Sequence, residues 1–214
     1  MNQPRATKIL VIGYVWPEPR SSAAGGYVMQ LLGAFLQQGW DVTFSSPAGA
    51  GEHQEDLTVL GIREVPIELN DSSFDRFISE LAPDIVLFEQ FMMEEQFGWR
   101  VETHCPNALR VLGTQDLQSL RHARHQRLKD RLKGSDDDND FNDLFAPALR
   151  QEFEFMAVTD VAKREIAAIY RCDLNLMTSE VEIELLVEHF KLPRSLLHWC
   201  PLMVDLPTHA LTPF

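Results

Sequence analysis

Four stretches carry residues whose type and spacing could do chemistry. Gly25-Gly26 stands just before an apolar-periodic segment, at the start of a predicted helix. Unpaired backbone N–H groups and the positive end of the helix dipole favour phosphate or carboxylate there, and glycine lets a ligand come close to the backbone. A tight turn that merely makes room for packing is the alternative. Glu89-Gln90 and Thr114-Gln115-Asp116 each follow an apolar run, so both fall at predicted strand ends. Gln115 can hydrogen-bond a hydroxyl but cannot carry a proton at neutral pH. Asp116 could serve a ligand or cap the following helix. Thr178-Ser179-Glu180 ends another run, and Ser179 with Glu182 three residues on reads as a capping box. Residues 117–133 form a basic helix carrying Arg121, Arg124, Arg127, Lys129, Arg131 and Lys133; it could meet an anionic acceptor or acidic lipid, or be a solvated face.

Other patterns are excluded. Neither the G-x-G-x-x-G fingerprint nor the P-loop is present, which argues against a nicotinamide dehydrogenase or a P-loop enzyme. Asp136, Asp138 and Asp140 lack the glycine and the bidentate glutamate of a calcium loop, Phe141 and Pro147 standing in those places. His198 and Cys200 alternate along a strand, but two ligands do not make a metal site. No metal and no cofactor are expected.

The elements that position these residues follow from periodicity. Ile9–Val15 is an apolar run of the kind that forms a strand buried on both faces. Val28, Leu31, Leu32, Phe35 and Leu36 make a helical stripe ended by Gly39. Strands are predicted near 8–15, 41–45, 84–89, 109–114, 174–178 and 196–200. A weak strand with Val65-Pro66-Ile67 belongs at an edge, because proline cannot donate to the ladder. Ser72 or Ser73 caps a helix with Phe74, Phe77, Ile78 and Leu81 inward. Residues 91–103 also read as helical, and residues 142–171 as one long helix or two broken near Thr159-Asp160. The helix after Ser179 carries Val181, Leu185, Leu186 and Phe190 inward. The acidic run 135–140 reads as a mobile loop. Alternating strands and helices predict an α/β, doubly wound, Rossmann-like domain with a mostly parallel sheet.

The chain has 214 residues, enough for one sizeable domain, and is 45% hydrophobic and 24% charged, ordinary for a globular protein. No apolar run is long enough to cross a membrane. The polar Met1–Arg5 start shows no signal peptide, and Cys105, Cys172 and Cys200 suggest reduced thiols, so a cytoplasmic location is expected. A formal charge of −13 argues against nucleic-acid binding.

Taken in order, these segments resemble the N-terminal half of family 4-type glycosyltransferases of the GT-B fold. The matching residues are Lys8, Ile9–Val15, Pro17 and Pro19, Gly25-Gly26, Leu31–Leu36, Gly39-Trp40-Asp41-Val42-Thr43, Val111–Arg121, Asp173–Glu180, Leu192-Pro193 and Pro201–Asp205. The family often reads T-H-D-x-H-S-L-R where this chain has Thr114-Gln115-Asp116-Leu117-Gln118-Ser119-Leu120-Arg121, and P-N-G-V-D where it has Pro201–Asp205. The resemblance implies a Rossmann-like domain over residues 1–205, an interdomain linker from 206 to 214, and a C-terminal donor-binding domain, with its Glu-x7-Glu motif, that is absent here. It implies the acceptor-side half of a retaining enzyme that uses a nucleotide sugar as co-substrate and a sugar or glycan as acceptor, with the donor held jointly with the second domain. Gln115 and Asp116 would be its catalytic residues, and Gly25, Gly26, Glu89, Arg121, Ser179 and Glu180 its substrate and donor contacts. Residues 117–133 would make at most a weak membrane-surface contact, and the isolated chain would be inactive. A non-catalytic binding or assembly module of the same fold is the alternative.

Overall fold

The computed structural model describes residues 5–134 and 156–203, with side chains to Asp130 in the first stretch. The expectations for residues 135–155 and for the linker after residue 205 lie outside the described residues. Seven strands form one sheet: β1 (Lys8–Ile12), β2 (Asp41–Ser46), β3 (Arg63–Pro66), β4 (Ile85–Glu89), β5 (Leu109–Gln115), β6 (Leu174–Met177) and β7 (Leu197–Trp199). Their order is β3-β2-β1-β4-β5-β6-β7, and each pair is parallel. The described helices are α1 (Ala23–Gln37), α2 (Ser73–Leu81), α3 (Phe91–His104), α4 (Gln118–Gly134), α5 (Asp160–Arg171) and α6 (Glu180–His189). This is the expected α/β Rossmann-like domain with a parallel sheet.

Alternation along the strands sends neighbouring side chains to opposite faces. Ile9 and Val11 of β1 join α1, through Val28, Leu31 and Leu32, in one core. Leu10 and Ile12 join the larger core opposite, built with Phe74 and Ile78 of α2, Phe97 of α3, Leu120 of α4, Ile169 of α5 and Leu186 of α6. Strands buried on both sides read as continuous apolar runs, which is why they were legible.

Several local expectations are corrected. β1 stops at Ile12, not Val15: a Cβ at Gly13 would lie 2.4 Å from the Phe44 ring, and beyond it Tyr14 and Val15 turn to solvent. The cap before α2 comes from Asp71, whose Oδ1 accepts from Ser73 N at 2.7 Å; neither serine side chain supplies it. α1 is capped at its C-terminal end by Gln38, with Gly39 next at φ 73°, where glycine bears no steric penalty. In α6, Val181 is exposed and Ile183 is inward. β3 lies at the sheet edge as predicted, with Pro66 its last residue. Thr159 caps α5, where the break was expected.

Between elements, buried ion pairs add to the apolar contacts. Glu94 on α3, 1% exposed, accepts from Arg171 on α5 through both carboxylate oxygens. Among the described residues no helix is long and apolar enough to cross a membrane.

Candidate functional site

Because every strand is parallel, all the C-terminal strand ends lie on one edge. The strand order reverses between β1 and β4, and open α/β sheets bind ligands in the crevice outside such a point. Gly25-Gly26 follows β1, Glu89 ends β4, Gln115 ends β5 with Asp116 next, and Ser179-Glu180 follows β6. All the singled-out residues therefore share this edge.

Glu89 and Gln115 meet directly, Gln115 Nε2 donating to Glu89 Oε1 at 2.5 Å. Burial pushes the Glu89 carboxyl up to about 7, and the Gln115 amide pulls against that shift without cancelling it. The neighbouring strand ends are strained. Gln90 has φ 72° and ψ 151°, a conformation close to one reserved for glycine, and Gln115 has φ 60°. Such positions cost on the order of 1–3 kcal/mol each and persist only where the surroundings over-determine them. Here the surroundings are visible. Gln90 N donates to Gly113 O at 2.8 Å, Gln118 Nε2 donates to Gln90 Oε1 at 2.9 Å, and Thr178 Oγ1 donates to Gln115 O beside a register shift between Gly113 and Gln115. Glu89, Gln90, Gln115 and Gln118 thus form a polar cluster over two adjacent strand ends.

Beside it a narrow apolar crevice, open to solvent, runs between α1 and the sheet. Val11, Val28, Leu31 and Leu87 line it, with Tyr27, Glu89 and Gln115 also at its wall, and the surface it exposes is apolar. Tyr27 OH donates to Cys200 O at 3.1 Å, tying α1 to the chain beyond β7. Sequence reasoning missed Tyr27, which no local pattern marks; Gln90 was placed at the strand end and Gln118 within the segment of the resemblance, neither with a role.

The two glycines of α1 differ. Ser22 caps the helix, its Oγ accepting from Gly25 N at 3.0 Å, and Gly26 N makes the regular helical bond to Ser22 O. The expectation of unpaired N–H groups at the glycine pair is therefore corrected; the first-turn groups without an intrahelical acceptor are those of Ala23 and Ala24. A Cβ at Gly25 would lie 2.5 Å from Glu18 O and 2.6 Å from Glu18 C, whereas at Gly26 it would meet open space. Gly25 is a packing glycine that seats the loop 16–22 on the helix. Gly25→Ala is expected to cost about 1–3 kcal/mol by overpacking. Gly26→Ala should instead be neutral or gain up to about 1 kcal/mol of helix propensity. Denaturant unfolding of both variants checks the contrast.

Asp116 does not cap α4. Its carboxylate takes a two-pronged ion pair from Arg121, through Nε at 2.7 Å and through the second guanidinium nitrogen, on an exposed part of the edge. The two residues are brought together, each answering the charge of the other. The first turn of α4 is capped from outside, by Glu165 of α5 and Glu182 of α6. Half of the expected capping box is present: Ser179 Oγ accepts from Glu182 N at 3.3 Å, but the Glu182 side chain reaches α4 instead of returning. Glu180 is exposed at the opening of α6. Among the described residues no group of three or more His, Cys, Asp or Glu could hold a metal.

This arrangement can accept and donate hydrogen bonds to neutral hydroxyls through a carboxyl poised near neutrality and three amides, beside an apolar wall. No family model matches the sequence, and no curated protein matches it. Solved structures do. A protein from Methylobacillus flagellatus described as an NAD-dependent epimerase/dehydratase matches at 12% identity and TM-score 0.42, over 87% of this chain and 61% of its own. Glycyrrhiza uralensis UGT73P12, complexed with glycyrrhetinic acid 3-O-monoglucuronide, matches at 11% identity and TM-score 0.43, over 84% of this chain and 45% of its own. The AMP-bound Kef C-terminal domain of Shewanella denitrificans matches at 16% identity and TM-score 0.34, over 76% of this chain and 89% of its own. This chain thus spans less than two thirds of the first two. At these values the likeness reaches no further than the alternation of strands and helices.

Proposed function

We propose that this chain is the acceptor-side domain of a retaining glycosyltransferase that takes a sugar from a nucleotide-sugar donor. The observation that carries the reading is the Glu89–Gln115 pair, which joins the strained ends of β4 and β5 one strand from the β1–β4 gap where the sheet order reverses. Glu89, Gln90, Gln115 and Gln118 are hydroxyl-recognising groups, and Gln115 is the one that would touch the sugar. Asp116 with Arg121 would border the site, and the open side of α1 at Gly26 would face the donor diphosphate. Ser179 fixes the start of α6, with Glu180 exposed beside it at the rim. A second domain would supply the cationic groups that stabilise the departing diphosphate.

A non-catalytic binding module is the second reading. It is favoured by the pairing of Asp116 with Arg121 and by the capping of α4 with this chain's own carboxylates, which together leave that corner without an open anion site.

Calorimetry with nucleotide sugars and with neutral oligosaccharides tests both. The first reading expects donor affinity on the order of millimolar, about −4 kcal/mol, and no turnover by the chain alone. It also expects oligosaccharide binding that Gln115→Ala weakens several-fold. Micromolar donor binding, or turnover by this chain, would overturn the division of labour. Oligosaccharide binding indifferent to Gln115→Ala would favour the module.

A further inference from the structure

The helices do not cover the two faces of the sheet equally. The core on one face takes residues from α2, α3, α4, α5 and α6, whereas α1 is the only described α-helix in the core opposite. There α1 packs with β1 and β2, and the apolar side of β4, β5 and β6 runs on past it. Ile85, Leu174 and Leu176 are only half-buried on that side. Leu109, which shares it with Val111 by alternation, is 43% exposed. The narrow crevice lies along the margin of this strip, where Leu31 and Phe35 of α1 meet Leu87. The chain beyond β7 enters the same margin. Tyr27 OH donates to Cys200 O at 3.1 Å, and Gln30 Nε2 donates to Met203 O. Tyr27 and Gln30 are three positions apart and so share one side of α1. From Cys200 to Met203 the chain therefore runs beside α1, away from the C-terminal strand ends and toward the strand starts.

We propose that residues 204–214 dock on this apolar strip, continuing beside α1 over β4, β5 and β6. The inference rests on packing and holds whichever ligand the edge binds. Three observations favour this occupant. The first is direction: Met203 is already held beside Gln30 and points the chain along the strip. The second is length. About 10 Å of α1 remain between Gln30 and Gln37, at 1.5 Å per residue. An extended chain covers that in about three residues, and the rest of the segment can reach Ile85, Leu109 and Leu174, where β4, β5 and β6 begin. The third is composition. Val204, Leu206, Ala210, Leu211 and Phe214 are apolar, and Asp205 and His209 are the only titratable side chains of the segment. Docking removes apolar surface of both the strip and the segment from water. Pro207 and Pro213 have no N–H to donate, so the segment lies on the face of the sheet and does not extend its ladder beyond β7.

Methyl NMR on the full chain tests the docking. Nuclear Overhauser contacts are expected from Leu206 or Leu211 to Leu87, Leu174 or Leu176. The double replacement Leu206→Asp with Leu211→Asp alters no side chain of the strip itself. It should abolish those contacts and raise binding of the neutral apolar dye Nile red several-fold, with the far-ultraviolet dichroism unchanged. Narrow lines at random-coil shifts for residues 204–214 in the unaltered chain would overturn the proposal. So would contacts from this segment to any other surface, or dye binding that is equal in the two proteins. A second copy covering the strip would appear as a dimer in sedimentation, with contacts between differently labelled chains, and would overturn it as well.

Discussion

Replacing Arg100 with alanine is expected to lower stability by about 3–5 kcal/mol, the cost of stranding one member of a buried ion pair. The Arg100 side chain on α3 is only 7% exposed, and its Nε lies 2.6 Å from Oδ1 of Asp75 on α2. A terminal guanidinium nitrogen donates to Asp75 Oδ2 at 2.9 Å. The guanidinium also sits 5.8 Å from the Phe74 ring centre and 5.4 Å from that of Trp99. Alanine removes the charge, the stacking and the stem that fills the space between α2 and α3, leaving Asp75 with the His104 ring beside it, Nε2 at 3.5 Å from Oδ1. The double replacement Asp75→Leu with Arg100→Met should cost much less than Arg100→Ala, because no charge is then left buried alone. Chemical denaturation of the three proteins decides it. A loss under about 1 kcal/mol for Arg100→Ala would mark the pair as equivalent to a surface contact.

Glu89→Gln is expected to be stabilising, and increasingly so with pH. The Glu89 carboxyl rises to about 7 on folding, from the ordinary range near 4.5. The native state therefore holds a proton that the unfolded chain gives up. The stability Glu89 contributes is complete below about pH 4.5 and is lost as pH climbs to about 7. Each tenfold change in proton affinity is worth about 1.4 kcal/mol, so the loss is at most about 3.5 kcal/mol. Glutamine has no charge to bury and can still accept from the Gln115 amide. Thermal melts at pH 5 and pH 8 should show the gap between variant and parent widening toward pH 8. A variant less stable than the parent at pH 8 would mean that the charged carboxylate is favoured where it stands. A gain in stability with a loss of ligand binding is the signature expected of a group kept for function at the expense of the fold.

Much of the fold was legible because parallel strands buried on both faces leave unbroken apolar runs, as in Ile9–Ile12 and Val86–Phe88, and Pro66 marked the edge. The candidate edge was legible for the same reason, since a strand that is recognised also gives away its end. What joins residues there was not. The positive φ of Gln90 and Gln115 arises from hydrogen bonds to Gly113 and Thr178, contacts made only once β4, β5 and β6 lie side by side. Glu182 matched a local capping pattern, yet its carboxylate is drawn to α4, 65 positions back along the chain. Glu165 has no local signature, because its partners Gln118 and Ser119 are 47 and 46 residues away. Gly25 and Gly26 look alike in sequence and differ only in the presence of Glu18 beside one of them.

The order of the strands also governs how the molecule assembles in time. Lys8 pairs with Asp41 and Ile85 with Leu109, separations of 33 and 24 positions, whereas Ile9 must find Ile85, 76 positions on, and Val111 must find Leu174, 63 positions on. Closing a loop costs only about 0.6 kcal/mol more for each doubling of its length, so the connection between β5 and β6 can lengthen with little loss of equilibrium stability. Folding rate is more sensitive, because long-range pairing must be reached before its contacts repay the search. The local pairs β1–β2, β4–β5 and β6–β7 can therefore organise first, with the β1–β4 and β5–β6 pairings joining them. The bulge at Gln115 and the capping of α4 by Glu182 both depend on the β5–β6 pairing, so the edge carrying Gln115 and Asp116 is completed only when those strands meet.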